Sequence, residues 1–426
     1  MAGAVLCFSG IIKEGVIVTT LSKNARNAIF LGGTCAVAYL AVYIARNVLG
    51  AVSPQMAEGG ITDAYLGNLS SLYFVCYAVG QLINGIIGDK IKARYMISFG
   101  LLLAGITNLT FSLLTEVSLT LALVAYGATG FFLAMIYGPM TKVVAENTEP
   151  LHATRCSLGY TFSAFFGSPL AGVLATFLAW QSVFTVSSIA LFVCAVACFS
   201  VFLLLERRGV VKYGQYKTEK KKGGSIKALM KHHFIKYCLI SLITGVVRTA
   251  VVFWMTKYFA DHLGYSSQQA SAIYSVSTFI ISLTPFIAVF LYERLKNNME
   301  LTILIMFSVA TVCFFATYLV SVPMVNIVFF VLSIMGSNAA ACMLWSRYCP
   351  SLRDTGVVSG ATGFLDFVSY MGAAISSSIF GNAVAAVGWG NLILIWMGLM
   401  ILGVIVSLPY GKIFKKNPPA QTADAE

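Results

Sequence analysis

The sequence predicts an all-α membrane protein, with twelve transmembrane helices in two pseudo-symmetric six-helix bundles. Three observations lead there. Long apolar stretches recur along all 426 residues, each near the ~20 residues that a bilayer-spanning helix needs. Basic residues gather in alternate connections between those stretches. One long polar interruption, 207–233, divides the stretches six and six. The composition agrees, because 58% hydrophobic residues against 10% charged, at a mean hydropathy of +0.83, is too apolar for a dispersed soluble chain. A membrane β-barrel would show short alternating segments instead.

In chain order the predicted spans are α1 at 28–56, α2 at 64–88, α3 at 95–114, α4 at 118–145, α5 at 156–178 and α6 at 182–205. The second set is α7 at 236–260, α8 at 268–292, α9 at 301–321, α10 at 324–346, α11 at 357–385 and α12 at 389–411. Before α1, "MAGAVLCFSGIIKEGVIVTT" is mildly apolar but broken by Lys13 and Glu14. It lacks the ordered regions of a signal peptide and reads as an interfacial or disordered lead. The connection after α1, "MAEGGITDAY", carries only acids, as does "TEVS" after α3. "LAWQSV" after α5 and "SVPM" after α9 carry no charge at all. The alternate connections carry Lys90, Lys92 and Arg94, then Lys142 and Arg155, then the basic 207–233 stretch, Arg294 and Lys296, and Arg347 and Arg353. Lys412, Lys415 and Lys416 follow α12, ahead of a tail that reads as disordered.

With Lys13, Lys23 and Arg26 ahead of α1 and Lys236 at the start of α7 counted in this basic set, only Arg46, Arg248 and Lys257 of the 28 Lys and Arg fall outside it. The positive-inside rule then places both termini and the middle loop in the cytoplasm, with the chain in a cytoplasmic (inner) membrane. The expected domains are a cytoplasmic lead (1–27), a first bundle (28–206), a cytoplasmic linker (207–233), a second bundle (234–412) and a cytoplasmic tail (413–426). The net charge of +12 thus signals topology, and no nucleic-acid partner is expected. The ten cysteines are scattered, mostly within apolar spans, with no CxxC pair or Cys/His cluster. They read as small buried hydrophobes and not as a metal site or disulfide framework. No nucleotide-binding loop and no nucleophile–base pair stands out, so neither an enzyme nor a cofactor is expected.

An arginine at the centre of a membrane helix costs ~2.5–3.5 kcal/mol on insertion scales and usually faces a polar cavity. Arg46 lies roughly 27 Å along α1, and Arg248 lies mid-run in "CLISLITGVVRTAVVFWMTKYF". Snorkelling requires a position near a helix end, which Arg248 lacks. One planar fork from each half would grip a phosphate or carboxylate bidentately. Tyr39 and Tyr43 share the Arg46 face of α1. Tyr77 and Gln81, at i and i+4 on α2, add further donors. An aromatic belt at the membrane interface is the alternative reading of the tyrosines.

The two halves repeat their landmarks. From Arg46 to Asp89 is 43 residues, and from Arg248 to Glu293 is 45. From Arg46 to Trp180 is 134, and from Arg248 to Trp389 is 141. Such a duplicated six-helix unit, with a midplane site between its copies, is the plan of major facilitator transporters. The loop "GIIGDKIKAR" resembles that family's G-x-x-x-D-[RK] connection, here Gly85, Asp89, Lys90 and Arg94. An acid there meets a helix N-terminus or basic groups and latches one conformation. An ordinary solvated turn is the other reading.

The stretches "IFLGGTCAVAYLAVYIARNVLGAVSPQMAEGG", "LYFVCYAVGQLINGIIGDKIKAR", "GVVRTAVVFWMTKYF" and "SGATGFLDFVSYMGAAI" resemble the organophosphate:phosphate antiporter family. That family includes the bacterial glycerol-3-phosphate and hexose-phosphate transporters. The resemblance implies that Arg46 and Arg248 hold the substrate phosphate, with Tyr39, Tyr43, Tyr77 and Tyr370 as pocket tyrosines. The chain departs from the family in three places. Gln81 stands where well-known members carry a lysine, and Tyr160 and Ser163 stand in place of the helix 5 histidine. Asp366 is an additional acid about 18 Å along α11 from Asp354. It has three open roles: pairing with an arginine, contacting a cationic part of the substrate, or carrying a proton.

The resemblance implies exchange of a small organic anion, an organophosphate, for inorganic phosphate by a monomeric carrier in the lipid bilayer. A proton-coupled symporter for a sugar acid and a non-transporting sugar-phosphate receptor are the rival readings.

Overall fold

The computed structural model describes residues 23–87, 91–213, 230, 232–352 and 358–409. Among them no strand forms, and 11 helices are long and apolar enough to cross a membrane. The last helix, Val358–Ser407, runs for 50 residues and leaves helical geometry at Gly388, where φ is 76° and ψ is 169°. That left-handed φ strains any residue with a Cβ, so the chain turns there into α11 (358–387) and α12 (389–407). Twelve spans result, as hydropathy predicts.

The other spans are α1 Lys23–Glu58, α2 Asp63–Ile87, α3 Ala93–Leu114, α5 Pro150–Phe177, α6 Trp180–Arg207 and α9 Met299–Leu319, together with four interrupted helices. α4 runs Leu119–Leu133 and resumes as Tyr137–Asn147. α7 passes from Phe234–Gly245 through a π-helical segment, Val246–Val251, to Val252–Asp261. α8 is Ser267–Ser282 followed by Thr284–Arg294, the second piece with proline in its first turn. α10 passes from Pro323–Met343 through a second π segment, Leu344–Tyr348, to Cys349–Ser351. Helix starts follow local chemistry. The Ser118 and Asn298 side chains accept the N–H groups of Leu121 and Leu301, and Ser266 with Gln269 forms a capping box. α1 starts earlier than predicted because hydropathy detects its apolar body and misses the polar turn "KNARN".

The packing repeats between halves. α1 packs on α5, α3 on α6, α3 on α4 and α2 on α4; the second half repeats this as α7 on α11, α9 on α12, α9 on α10 and α8 on α10. The halves meet through α1 with α7, α2 with α11, and α5 with α8. Small residues permit the approach, as is usual where van der Waals packing drives helix association. A Cβ added to Gly67 would stand 2.7 Å from the Ser377 carbonyl oxygen. The Ser70 hydroxyl meets that of Ser377 at 3.1 Å, and the Ser275 hydroxyl donates to the Pro169 carbonyl at 2.7 Å.

These contacts crowd toward the end of the molecule that carries Glu58, Asp63 and Asp261, hereafter the acidic end. There Lys257, almost fully buried, pairs with Asp63 at 3.2 Å and with Asp261 one turn along α7. The Ser267 hydroxyl donates to Glu58, tying α8 to α1. At the opposite, basic end the second piece of α4 packs on α1, α2, α3 and α5 of its own half, while the end of α10 packs on α7 and α11. Among the described residues the contacts between the halves therefore gather toward the acidic end and thin toward the basic end.

Candidate functional site

Arg46 lies on α1 among aromatic rings from two other helices. Its guanidinium carbon is 5.4 Å from the ring centroid of Tyr43, 5.5 Å from Phe74, 5.1 Å from Tyr77 and 5.0 Å from Tyr370. Nη1 donates to the Tyr370 hydroxyl at 3.0 Å. Cation–π contacts contribute roughly 0.5–2 kcal/mol each. Several together offset much of the cost of holding a guanidinium inside a membrane helix.

Arg248 comes from the π segment of α7 and is held differently. Its guanidinium carbon stands 6.0 Å from the Trp345 ring and 5.9 Å from the Tyr370 ring. Its Nη2 is buried and has no hydrogen-bond partner among the described residues. Trp345 itself lies in the π segment of α10. A π turn inserts a residue and shifts the side-chain register, and such turns recur at functional sites. Here two of them bring an arginine and a tryptophan together.

Tyr370 is the hub, since it hydrogen-bonds Arg46 and borders Arg248. Asp366 lies one turn before it on the same face of α11. This carboxylate is half-buried, feels the charges of Arg248 and Arg46, and forms no direct ion pair among the described residues. The remaining tyrosines make a second group toward the basic end. Tyr39 is 4.9 Å from Tyr43, 5.5 Å from Tyr137 and 6.3 Å from Tyr160. Tyr137 is 43% exposed at the edge of this group, whereas Tyr39 and Tyr160 are buried.

The structure thus gathers Arg46, Tyr43, Tyr77, Tyr370, Arg248 and Asp366, and links Tyr39 and Tyr160 to them through Tyr43. Gln81 is half-buried on α2 beyond Tyr77, outside the ring cluster. Gly85 lies within α2, whereas Asp89 and Lys90 fall outside the described residues. Arg94 pairs with Glu206 of α6 at 2.8 Å and joins α3 to α6 within one half. The Tyr213 hydroxyl donates to the same carboxylate at 2.7 Å; burial first, and then Glu206, push its phenol above the usual range. Sequence reasoning missed Phe74, Trp345 and Tyr137. Their only signal is an aromatic ring near a helix break or on an arginine's face. Among the described residues no group of three His, Cys, Asp or Glu gathers that could hold a metal ion.

Two guanidiniums, one carboxylate and several phenols at the join of two repeated helical halves form a polar site suited to an oxyanion, in the architecture of a secondary transporter. Residues 35–365 match the family model described as Major Facilitator Superfamily, and the chain belongs to that family. It is a multi-pass membrane transporter and not an enzyme. The chain is 20% identical to the glycerol-3-phosphate transporter of Bacillus subtilis over 418 residues, covering 90% of this chain and 91% of that one. It is 23% identical to the phosphoglycerate transporter protein of Salmonella typhimurium over 414 residues, covering 88% and 85%. Its fold matches a crystal structure of a bacterial homolog to the human lysosomal transporter Spinster, inward-facing and unoccupied. The TM-score is 0.75 at 14% identity, covering 92% of this chain and 99% of that one.

Proposed function

We propose that the protein exchanges a small organic phosphate for inorganic phosphate by alternating access, with the anion held between Arg46 and Arg248. The observation that carries this reading is the buried, unpartnered Nη2 of Arg248 beside Tyr370, which already joins Arg46. A phosphoryl oxygen accepts from such a donor, and a second oxygen reaches the Arg46 side of Tyr370. Tyr39, Tyr43, Tyr77, Gln81 and Tyr160 line the path and supply further donors. Relatives that carry phosphate esters by name support the substrate class.

In this reading 28–206 and 234–412 are the moving bundles, 207–233 links them, and the basic end faces the cytoplasm. The state described is then open to the cytoplasm and closed outside by Lys257 with Asp63. Anion binding neutralises the arginines and lowers the barrier to rocking. The connection that carries Asp89 and Lys90, between Gly85 at the end of α2 and Arg94 at the start of α3, latches the alternate state at the cytoplasmic face. A second reading rests on Asp366, a half-buried carboxylate near both arginines, as the proton carrier of a sugar-acid symporter. A thermal-shift panel of organic phosphates and sugar acids on the purified protein in detergent separates them. Stabilisation by phosphate esters is expected, and stabilisation by sugar acids alone would replace the antiport reading with the symport one.

A further inference from the structure

The charges at the site do not suit a simple phosphate ester. Arg46 and Arg248 bring two positive charges, and Asp366 in its ionised form, which both guanidiniums favour, removes one, so the cluster then carries a single net positive charge. A phosphate monoester at neutral pH is mostly a dianion and overshoots that charge by one. The two arginines are also unequal. Arg46 has Nη1 committed to Tyr370 and its faces covered by rings, whereas Arg248 keeps a buried donor free. The primary oxyanion position is therefore at Arg248. Asp366 stands near that position with no direct ion pair among the described residues. Once an anion draws on Arg248, this carboxylate loses the nearest charge that compensates it, and an uncompensated half-buried charge is costly.

A ligand that carries its own cation resolves both problems. Resting on the organophosphate reading above, we infer that the substrate is a zwitterionic phosphate ester of a short amino alcohol, with its phosphoryl group on Arg248 and its ammonium on Asp366. Such an ester bears a net charge of −1 and neutralises the cluster. The Trp345 ring, already beside Arg248, offers the ammonium a cation–π contact as well.

Two probes of nearly equal size isolate the ammonium: phosphoethanolamine and ethyl phosphate. Calorimetric titration of the full-length protein in detergent at neutral pH should show the aminated probe binding roughly ten- to a hundred-fold tighter, the range for a hydrogen bond to a charged group. Asp366→Asn should erase that preference, and Asp366→Glu should retain part of it. Equal or tighter binding of ethyl phosphate by the native protein would overturn the zwitterion inference and leave the organophosphate reading standing. Binding of neither probe would overturn both. A preference that survives in Asp366→Asn would remove the ammonium from Asp366. If the Asn variant fails to fold, the native comparison alone still decides the substrate class.

Discussion

Replacing Arg248 with lysine keeps the charge and removes the planar fork. The structure makes the consequence specific. The buried Nη2 has no partner among the described residues, so its loss forfeits little in the empty protein and much in the complex. Removing one partner of a desolvated, hydrogen-bonded charge pair costs about 2–5 kcal/mol. Because the charge is retained, the lower end applies, and affinity for an organic phosphate should fall about thirty-fold or more. Arg46→Lys should behave differently. It loses the bond to Tyr370 and contacts with four rings as well, so it should weaken binding and also lower the melting temperature. Titration calorimetry and thermal unfolding of both variants beside the native protein provide the assay. Near-native affinity in both would mean that neither guanidinium holds the anion, and the reasoning from the unpartnered donor would be refuted.

Lys257→Met strips the buried partner from Asp63, and breaking such a pair by removing one side costs ~3–5 kcal/mol. The closed acidic end should loosen, and a Ser70→Cys probe in a cysteine-depleted chain should label faster with a maleimide; an unchanged rate would show that the pair is no latch. Gly67→Leu places a side chain where even a Cβ would stand 2.7 Å from the Ser377 carbonyl oxygen. It should open the same seal in the same labelling assay, and protection equal to the native protein would contradict the packing argument. Accessibility tags at Met1, near residue 218 and at Glu426 should all report the cytoplasm; an external tag at the middle position would overturn the proposed orientation.

Much of this architecture is legible in the sequence because a membrane simplifies the physics. A span must be long, apolar and helical, so hydropathy finds all twelve, including the turn at Gly388 that separates α11 from α12. Arg46, Arg248 and Asp366 announce themselves because charge in an apolar run is expensive. Helical spacing places Tyr43 on the Arg46 face of α1, and the structure sets it there. Phe74 and Trp345 were not legible. An aromatic ring in a membrane helix is equally content against lipid or over a guanidinium, and only the tertiary arrangement tells which. Trp345 is harder still, because a π segment shifts its register away from the 3.6-residue period. Lys257 reads from sequence as a third exception to the charge pattern; Asp261 stands one helical turn on along α7, whereas Asp63 emerges as its partner only when α2 and α7 are packed together.

Counterflow in liposomes tests the central claim most directly. Vesicles containing the purified protein and loaded with unlabelled phosphate should accumulate labelled phosphate without a pH gradient. An external organic phosphate should compete for that entry, and Arg248→Lys should need about thirty-fold or more of the competitor to do the same. Uptake that requires a proton gradient, or no flux at all while organic phosphates still bind, would contradict exchange between the two arginines.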